Sequence, residues 1–332
     1  MGDLVQTLPA LTDAAKAIPG IRFDWVVDES FADVAGWHPH VDHIMRSGFR
    51  RWRKDWTRSL RQHEPQTFLR NLRARTYDLV VDLQGELKSA LASRLAKGPR
   101  LGHDNKGVHE WGAQFAYKKK FSVPKGQHSI ERMRRLLSLA LQYNYEPQTV
   151  DYGIDRSRLP PSPLQVNSPY TVFIHATSWT SKNWPEKYWQ TLAAMATDAG
   201  LTVVLPWGTE AERHRAENIR QESARITVLP DLSISEKAAI IARAQATVGL
   251  DTGLSHIAAA LDVPSITIYG ATDPALVGAA GKHQVHLASA FTCVKCHEQE
   301  CFYRGEAEFK PACLVEITPD VVWRCLENIL GT

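Results

Sequence analysis

The stretch Thr247–His256, with the sequence TVGLDTGLSH, decides how the chain is organised. A short apolar run stops at an acid, a hydroxyl residue and a glycine, and an apolar pattern with helical spacing follows at once. This predicts a parallel strand that ends in a tight turn at the N-terminus of a helix. Free backbone N–H groups and the helix dipole make such a turn an anion-binding site. A connection that is merely capped by Asp or Thr fits the same residues, so the stretch alone leaves both interpretations open.

Three residues of this turn are suited to contact a ligand. Thr252 offers a hydroxyl donor, and Gly253 lets the backbone come close to a bound group. The carboxylate of Asp251 would repel a phosphate, so we expect it to face a hydroxylated part of the same ligand.

The composition is that of a globular protein with more than one domain. The chain has 332 residues, 44% of them hydrophobic and 23% charged, and its formal net charge is +3. This length suggests two domains, each with an adequate core. No apolar run approaches the roughly 18 residues of a membrane-spanning helix, and no signal-peptide pattern opens the chain. We therefore expect a cytoplasmic protein.

Strand and helix patterns alternate along the chain, with one break. Residues 151–169 are rich in proline and lack periodicity, as in a linker. They separate a first domain, 1–150, from a second, 170–318, which is followed by a C-terminal helix at 319–332. Strands are predicted at 21–27, 41–45, 77–83, 170–176, 201–205, 226–229, 247–250 and 265–269. Helices are predicted from residue 2 or 3 and at 86–96, 128–141, 186–199, 210–222, 233–244, 254–261 and 319–330. The regular alternation after residue 170 predicts a doubly wound parallel sheet.

The chain opens directly on a helix pattern. Leu4, Leu8 and Leu11 share one face, and Asp3 lies in the first turn, where the helix dipole favours a carboxylate. In an α/β domain such a helix normally follows a strand, and the sequence shows none before it. Either the true start lies upstream or the first domain lacks its first strand, and we favour the upstream start.

Polar groups follow three strands of the second domain. Thr177, Ser178 and Lys182 follow the first of them, Glu212 lies just after the second, and the turn at Asp251 follows a third. In such sheets ligands bind at the carboxyl ends of the strands. Hydroxyls and an ammonium suit a diphosphate, and a carboxylate one strand away suits a ribose. The second domain is therefore predicted to bind a nucleotide diphosphate.

The usual nucleotide motifs are missing from the sequence. No G-x-G-x-x-G follows a strand, which argues against a dinucleotide dehydrogenase. No D-x-D pair is present to clamp a metal ion on a nucleotide sugar. Negative charge on the leaving group would then be stabilised by Lys182, hydroxyls and a helix N-terminus. No cofactor would be required for catalysis.

Four motifs together resemble the ADP-heptose:lipopolysaccharide heptosyltransferases. They are Met-Gly-Asp at residues 1–3, HATS…KNWP within 175–185, LPWG at 205–208 and DTGLSH at 251–256. The resemblance covers nearly the whole chain and is greatest to the members that add the first heptose to the Kdo region of the lipopolysaccharide inner core. It implies two Rossmann-like doubly wound domains facing a cleft, the B-type glycosyltransferase architecture. It also implies an inverting, metal-independent transfer from ADP-heptose.

The resemblance assigns roles position by position. Asp3 matches the general base, which removes the proton of the acceptor hydroxyl; a helix-start aspartate that serves only as a cap is the alternative. Glu212 matches the ribose ligand, Asp251 the residue facing the heptose, and His256 a position that either contacts the donor or supports the turn. The diphosphate site would be formed by Thr177, Ser178, Lys182, Thr252 and Gly253.

A basic run at residues 50–61 is interleaved with Trp52 and Trp56. A solvated helix face would explain it, whereas nucleic acid is not expected because the fold offers no recognition module. The resemblance instead implies Kdo-lipid A, an anionic glycolipid acceptor, and peripheral attachment to the inner face of the inner membrane. Tryptophan suits such an interface. The candidate acceptor-binding residues are Arg50, Arg51, Arg53, Lys54, His128 and Arg132.

Five cysteines lie near the C-terminal end of the chain, and four of them show the spacing C-x2-C-x4-C-x11-C. The first pair has the spacing of a zinc knuckle, and a similar pattern occurs in some members of the family. The candidate ligands of a structural zinc are Cys293, Cys296, Cys301 and Cys313. A loop of reduced cysteines is the alternative.

Two other functions stay open at this point. One is a sister heptosyltransferase, resembling heptosyltransferase II, that acts on a core heptose or another sugar acceptor. The other is a nucleotide-sugar-binding protein that has lost turnover, against which the presence of Asp3 and Lys182 argues.

Overall fold

The computed structural model describes residues 1–164 and 168–331. Apart from the first two residues, the chain divides into two compact units, Asp3–Arg158 (unit 1) and Leu159–Thr332 (unit 2). The division falls inside the predicted linker 151–169. Residues 165–167 of that linker, and Thr332 of the predicted last helix, lie outside the described residues.

The helices and strands of unit 2 alternate as the sequence predicts, whereas in unit 1 three helices that were not predicted follow one another within residues 49–72. Unit 1 contains α1 (Gly2–Ala17), β1 (Phe23–Asp28), α2 (Ala32–Gly36), β2 (Val41–Ser47), α3 (Phe49–Lys54), α4 (Trp56–Arg61), α5 (Glu64–Leu72), β3 (Val80–Val81), α6 (Leu87–Leu95), β4 (Arg100–His103), β5 (Lys119–Phe121) and α7 (Ser129–Leu141). Unit 2 contains β6 (Tyr170–Ile174), α8 (Glu186–Asp198), β7 (Thr202–Leu205), α9 (Glu210–Arg220), β8 (Ile226–Val228), α10 (Ile234–Ile241), β9 (Ala246–Leu250), α11 (Gly253–Ala260), β10 (Ser265–Tyr269), α12 (Pro274–Val277), β11 (Gln284–Ala288) and α13 (Pro319–Leu330). Within the described residues, no helix combines the length and apolarity needed to cross a bilayer.

Unit 2 is built on a six-stranded sheet in the part of the chain that the structure describes. Its order is β11-β10-β9-β6-β7-β8, and neighbouring strands are parallel throughout. Every residue of the central strands β6 and β9 is buried, as in a parallel sheet with both faces covered. The predicted parallel α/β sheet is confirmed. The edge strand β11 was not predicted, because its residues are half-buried or exposed and show no sustained apolar run.

The strands of unit 1 are divided between two parallel sheets. One pairs β1 with β2, and the other has the order β3-β4-β5. No strand precedes α1 in the described residues, in line with the gap noted in the sequence. The predicted strand 77–83 is wrong in extent, since only Val80–Val81 forms a strand. β4 and β5 were missed because basic residues interrupt their apolar alternation.

Helix α1 is fixed in unit 1 by its apolar face and by a buried ion pair. Ala10, Leu11 and Ala14 pack against α7. Nε of Arg134 on α7 lies 2.6 Å from a carboxylate oxygen of Asp13, and the arginine side chain is only 1% exposed. Removing the two charges of such a pair from water costs free energy, which is offset only when their geometry is good. Here the pair fixes the register of the two helices. The helix that carries Asp3 is therefore anchored to α7 through residues 10–14.

Candidate active site

The turn predicted from Thr247–His256 forms as expected in unit 2. β9 ends at Leu250, and α11 begins at Gly253 with Thr252 as its N-cap residue. The Thr252 side chain makes no capping hydrogen bond, so its hydroxyl is not used by the helix. The Ser255 hydroxyl donates instead to the Leu250 carbonyl at 2.6 Å and closes the turn. This leaves Thr252 and the first turn of α11 suited to an anion.

Gly249 is required by the close packing of this turn. A Cβ at that position would lie 2.6 Å from the Ser255 hydroxyl and 3.1 Å from Cβ of Ile174. A side chain there would therefore displace the Ser255 hydroxyl that closes the turn. The sequence shows the glycine but not the contact that demands it.

Asp251 is the centre of a buried polar cluster. Its Oδ2 accepts hydrogen bonds from Nζ of Lys182 and from the hydroxyl of Thr272, both at 2.7 Å. Nε2 of His256 lies 3.5 Å from Oδ1. Burial raises the pKa of Asp251, but the hydrogen bond from His256 and the charge of Lys182 outweigh it, and the net pKa is well below its usual range. Asp251 is therefore a carboxylate that holds Lys182, a role that the sequence reasoning missed.

Lys182 joins two of the predicted strand ends. It lies in a short 3₁₀ turn, Thr180–Lys182, after β6, and its side chain is 13% exposed. Its ammonium also lies over the indole ring of Trp179, 4.3 Å from the centroid. The ion pair with Asp251 and this cation–π contact fix the charge at the carboxyl edge of the sheet.

The other residues predicted to bind the sugar donor lie after the ends of β6 and β7. Thr177 is half-buried, and its amide donates to the Asn183 side chain at 3.2 Å, whereas Ser178 is exposed. Glu212 accepts a hydrogen bond from the Gly208 amide at 2.6 Å and so stabilises the turn before α9. Its role toward a ribose stays a prediction. Thr272, which follows β10, was missed because one hydroxyl after a strand gives no pattern.

In unit 1, Asp3 lies in the first turn of α1 and is exposed. Met1 is the N-cap residue, and α1 has no side-chain cap. The Asp3 carboxylate has no hydrogen-bond or ion-pair partner among the described residues. The geometry therefore shows no capping hydrogen bond from Asp3, and its role as a general base stays a prediction.

The basic run forms α3 and α4. Arg51 binds Glu29 at 2.8 Å and 3.0 Å and Glu64 at 2.9 Å, and these hydrogen bonds raise its pKa. Arg50 lies 3.5 Å from a carboxylate oxygen of Asp28. Arg53 and Lys54 are exposed, with no ion pair in the described part of unit 1. Of the predicted acceptor ligands, these two are the most available.

The expectation that Trp52 lies at a membrane interface is wrong. Its side chain is 6% exposed and packs against Phe49 and Phe68, while its indole N–H donates to Glu64 at 2.7 Å. The side chain of Trp56 lies outside the described part of the structure.

The two remaining acceptor candidates belong to α7 and its cap. Arg132 is 6% exposed and contacts His109 at 3.1 Å and the Gly107 carbonyl at 2.7 Å, and burial lowers its pKa. His128 is the N-cap residue of α7 and accepts a hydrogen bond from the Ile130 amide at 3.2 Å. Both side chains therefore have internal roles, and contact with an acceptor stays a prediction.

The four clustered cysteines are free thiols around one small cavity. Its volume is about 10 Å³, and Cys293, Cys296, Cys301 and Cys313 line it together with Phe302 and Tyr303. Among the described residues, however, no group of three or more His, Cys, Asp or Glu side chains is arranged to hold a metal ion. The geometry therefore favours a loop of reduced cysteines over the predicted structural zinc.

Comparison with known proteins identifies the family. The profile of Glycosyltransferase family 9 (heptosyltransferase) matches residues 66–306. The chain belongs to this family. Lipopolysaccharide heptosyltransferase 1 of Pseudomonas aeruginosa is 43% identical over 340 residues, which cover 99% of this chain and 95% of that protein. The protein of the same name from Escherichia coli K12 is 44% identical over 287 residues, which cover 86% and 89%.

A solved structure supports the same family assignment. That of Escherichia coli heptosyltransferase WaaC with ADP has a TM-score of 0.85 and 38% identity, covering 99% of this chain and 96% of that one. The predicted glycosyltransferase, its family and its fold class are thereby confirmed. The individual residue roles rest on the geometry above and on the motifs.

Replacing Asp251 by asparagine is expected to lower the stability of unit 2 by about 3 kcal/mol, because Lys182 loses its partner in a buried site. Thr272→Val removes one neutral hydrogen bond and should cost about 1 kcal/mol. Urea unfolding monitored by fluorescence measures both. Asp320→Asn, an exposed acid on α13, is the control and should change little.

The pH dependence adds a second check on Asp251. Because the pKa of Asp251 is lowered in the folded state, its stabilisation is present at neutral pH and is lost as the pH falls below about 4. That acid-dependent loss should shrink in Asp251→Asn. An unchanged acid profile would contradict the ion pair.

Metal analysis of the purified protein tests the cysteine loop. Because the thiols are not arranged as a ligand set, we expect less than about a tenth of an equivalent of zinc, whereas a structural site would hold about one equivalent. A full equivalent that is lost in Cys296→Ser would restore the zinc prediction.

Proposed function

We propose that this protein transfers heptose from ADP-heptose to the Kdo region of the lipopolysaccharide inner core, with inversion at the anomeric carbon. The observation that carries the proposal is the cluster of Lys182, Asp251 and the first turn of α11 at one edge of the unit 2 sheet. It is supported by relatives more than 40% identical that are named lipopolysaccharide heptosyltransferase 1. It is also supported by the E. coli WaaC structure with ADP-2-deoxy-2-fluoro heptose, which is 38% identical with a TM-score of 0.82.

On the donor side, the diphosphate would lie against the N-terminus of α11. Thr252 would donate its unused hydroxyl, and Gly253 would allow close approach. Lys182 would supply the positive charge that stabilises the departing ADP, with Asp251 holding the ammonium in place. Thr177 and Ser178 would add hydroxyl donors, Glu212 would bind the ribose, and His256 would support Asp251. Under this proposal catalysis needs no cofactor.

On the acceptor side, Asp3 would act as the general base. As the acceptor oxygen attacks the anomeric carbon, its proton passes to the Asp3 carboxylate, and the bond from that carbon to the diphosphate oxygen breaks. Within the described residues, no hydrogen bond or ion pair occupies this carboxylate. Its exposure in the first turn of α1 leaves the carboxylate accessible to an acceptor hydroxyl.

The acceptor would be Kdo-lipid A, at the inner face of the inner membrane. Arg53 and Lys54 are exposed cations that can bind its carboxylates and phosphates. Arg50 can join them by giving up a loose contact with Asp28. Arg51, which is held by Glu29 and Glu64, would shape the site. Action on a core heptose, as in a heptosyltransferase II, is less well supported, because the relatives above 40% identity carry the name heptosyltransferase 1.

Asp3→Asn should nearly abolish turnover, with a loss of at least about 100-fold, while leaving donor binding intact. The assay is release of ADP that depends on both ADP-heptose and Kdo-lipid A, and donor affinity is measured separately by calorimetry. Asp320→Asn makes the same change in the first turn of α13 and should retain activity. Full activity of Asp3→Asn would remove Asp3 from the mechanism, and release with ADP-glucose but not ADP-heptose would overturn the donor.

The double variant Arg53→Glu/Lys54→Glu should raise the acceptor KM about tenfold or more, because two favourable charges become repulsive. The KM for ADP-heptose should not change. Arg70→Glu/Arg73→Glu alters the charge of unit 1 equally at exposed positions on and after α5 and serves as the control. An equal rise in both double variants would point to a general charge effect and not to a binding site.

A further inference from the structure

Unit 1 carries an exposed apolar patch that the proposed reaction does not use. We call Leu87, Leu91, Trp111 and Phe115 the unit 1 patch. Their exposed fractions are 54%, 51%, 79% and 66%. Large apolar side chains that are exposed together mark interaction surfaces, whereas singly exposed ones are ordinary.

The four side chains form one continuous surface. Leu87 and Leu91 are four residues apart on α6 and so share a face. The rings of Trp111 and Phe115 lie 5.9 Å apart, edge to face. A Cβ added to Gly112, between these aromatic residues, would lie 3.3 Å from Cδ2 of Leu87, which joins the helix to the aromatic pair.

Buried side chains support the patch from below. Beneath it, Ala90 of α6 packs with Val108, Ala113 and Tyr117 in a small buried cluster. The Tyr117 hydroxyl donates to Asp82 at 2.6 Å. The exposure of the patch is therefore built into the fold and does not come from a loosely held loop.

Positive charge borders the patch. Lys118, Lys119 and Lys120 follow Phe115 closely and are exposed, and the Lys120 ammonium lies 6.0 Å from the centroid of the Phe115 ring. The nearby acid Glu110 accepts a hydrogen bond from the Leu87 amide at 2.6 Å. Aromatic and aliphatic side chains beside lysines are the combination that binds anionic lipid surfaces.

We propose that unit 1 docks on an anionic lipid bilayer through the unit 1 patch, with the lysines at the headgroups. The inference rests on the proposed function, whose acceptor is a membrane glycolipid. The apolar contact with the membrane is assigned to this patch and not to the basic run at residues 50–61, because Trp52 of that run is buried. His109, which contacts Arg132, lies two residues before Trp111, so docking brings a predicted acceptor-binding region close to the lipid surface.

Sedimentation with vesicles tests the docking. The full chain should bind vesicles of phosphatidylglycerol and phosphatidylethanolamine and bind phosphatidylcholine vesicles less, with binding weakened by salt. Trp111→Ser/Phe115→Ser should weaken binding about tenfold or more. Phe302→Ser removes a ring that is 59% exposed in unit 2 and should have no effect. Lys118→Gln/Lys119→Gln/Lys120→Gln should remove the preference for anionic lipid.

Two kinetic measurements separate docking from catalysis. Turnover of Trp111→Ser/Phe115→Ser should fall on acceptor embedded in vesicles but remain near wild type on a deacylated, water-soluble acceptor. Unchanged vesicle binding by this variant would overturn the proposal. The proposal would also be overturned if the wild-type protein formed a dimer without lipid and the variant did not. A second copy of the chain would then cover the patch. If no heptose transfer occurs with any acceptor but the vesicle results hold, the proposed function fails and the docking surface stands.

Discussion

The candidate donor site depends on one buried ion pair, Lys182 with Asp251. Removing two charges from water is costly, and the cost is offset only when the geometry is good and the other lone pairs find partners. Thr272 and His256 provide those partners, so the carboxylate is satisfied from three different parts of the chain. The pair fixes the position of the Lys182 ammonium at the carboxyl edge of the sheet, where the diphosphate lies under the proposed function.

Much of unit 2 could be predicted from the sequence because its strands are short apolar runs bounded by clear turn residues. The turn after Leu250 was placed correctly, since a strand, an acid and a glycine at a helix start leave few other conformations. What the sequence could not show was the partner of each polar group. Asp251 was predicted to face a sugar, and this stays a prediction; its contact with Lys182 could not be read from the sequence.

Unit 1 was harder to predict, for two physical reasons. β4 and β5 are short and contain basic residues, so their apolar alternation is too weak to indicate a strand. The basic run was treated as one surface, but its members differ in their environment. Arg51 and Trp52 are both held by Glu64, which lies 13 and 12 positions further along, and these contacts cannot be read from the run itself.

The cysteine loop has a consequence for the chemistry of the intact protein. Cys313 is 5% exposed, and burial raises the pKa of its thiol to about 12. Thiols react with alkylating agents and oxidants as thiolates, so at neutral pH this sulfur is protected both by its protonation and by its burial. The rate at which it is labelled would then follow how often the loop opens. Cys313 is thus a natural reporter of local unfolding beneath the last helix of the chain.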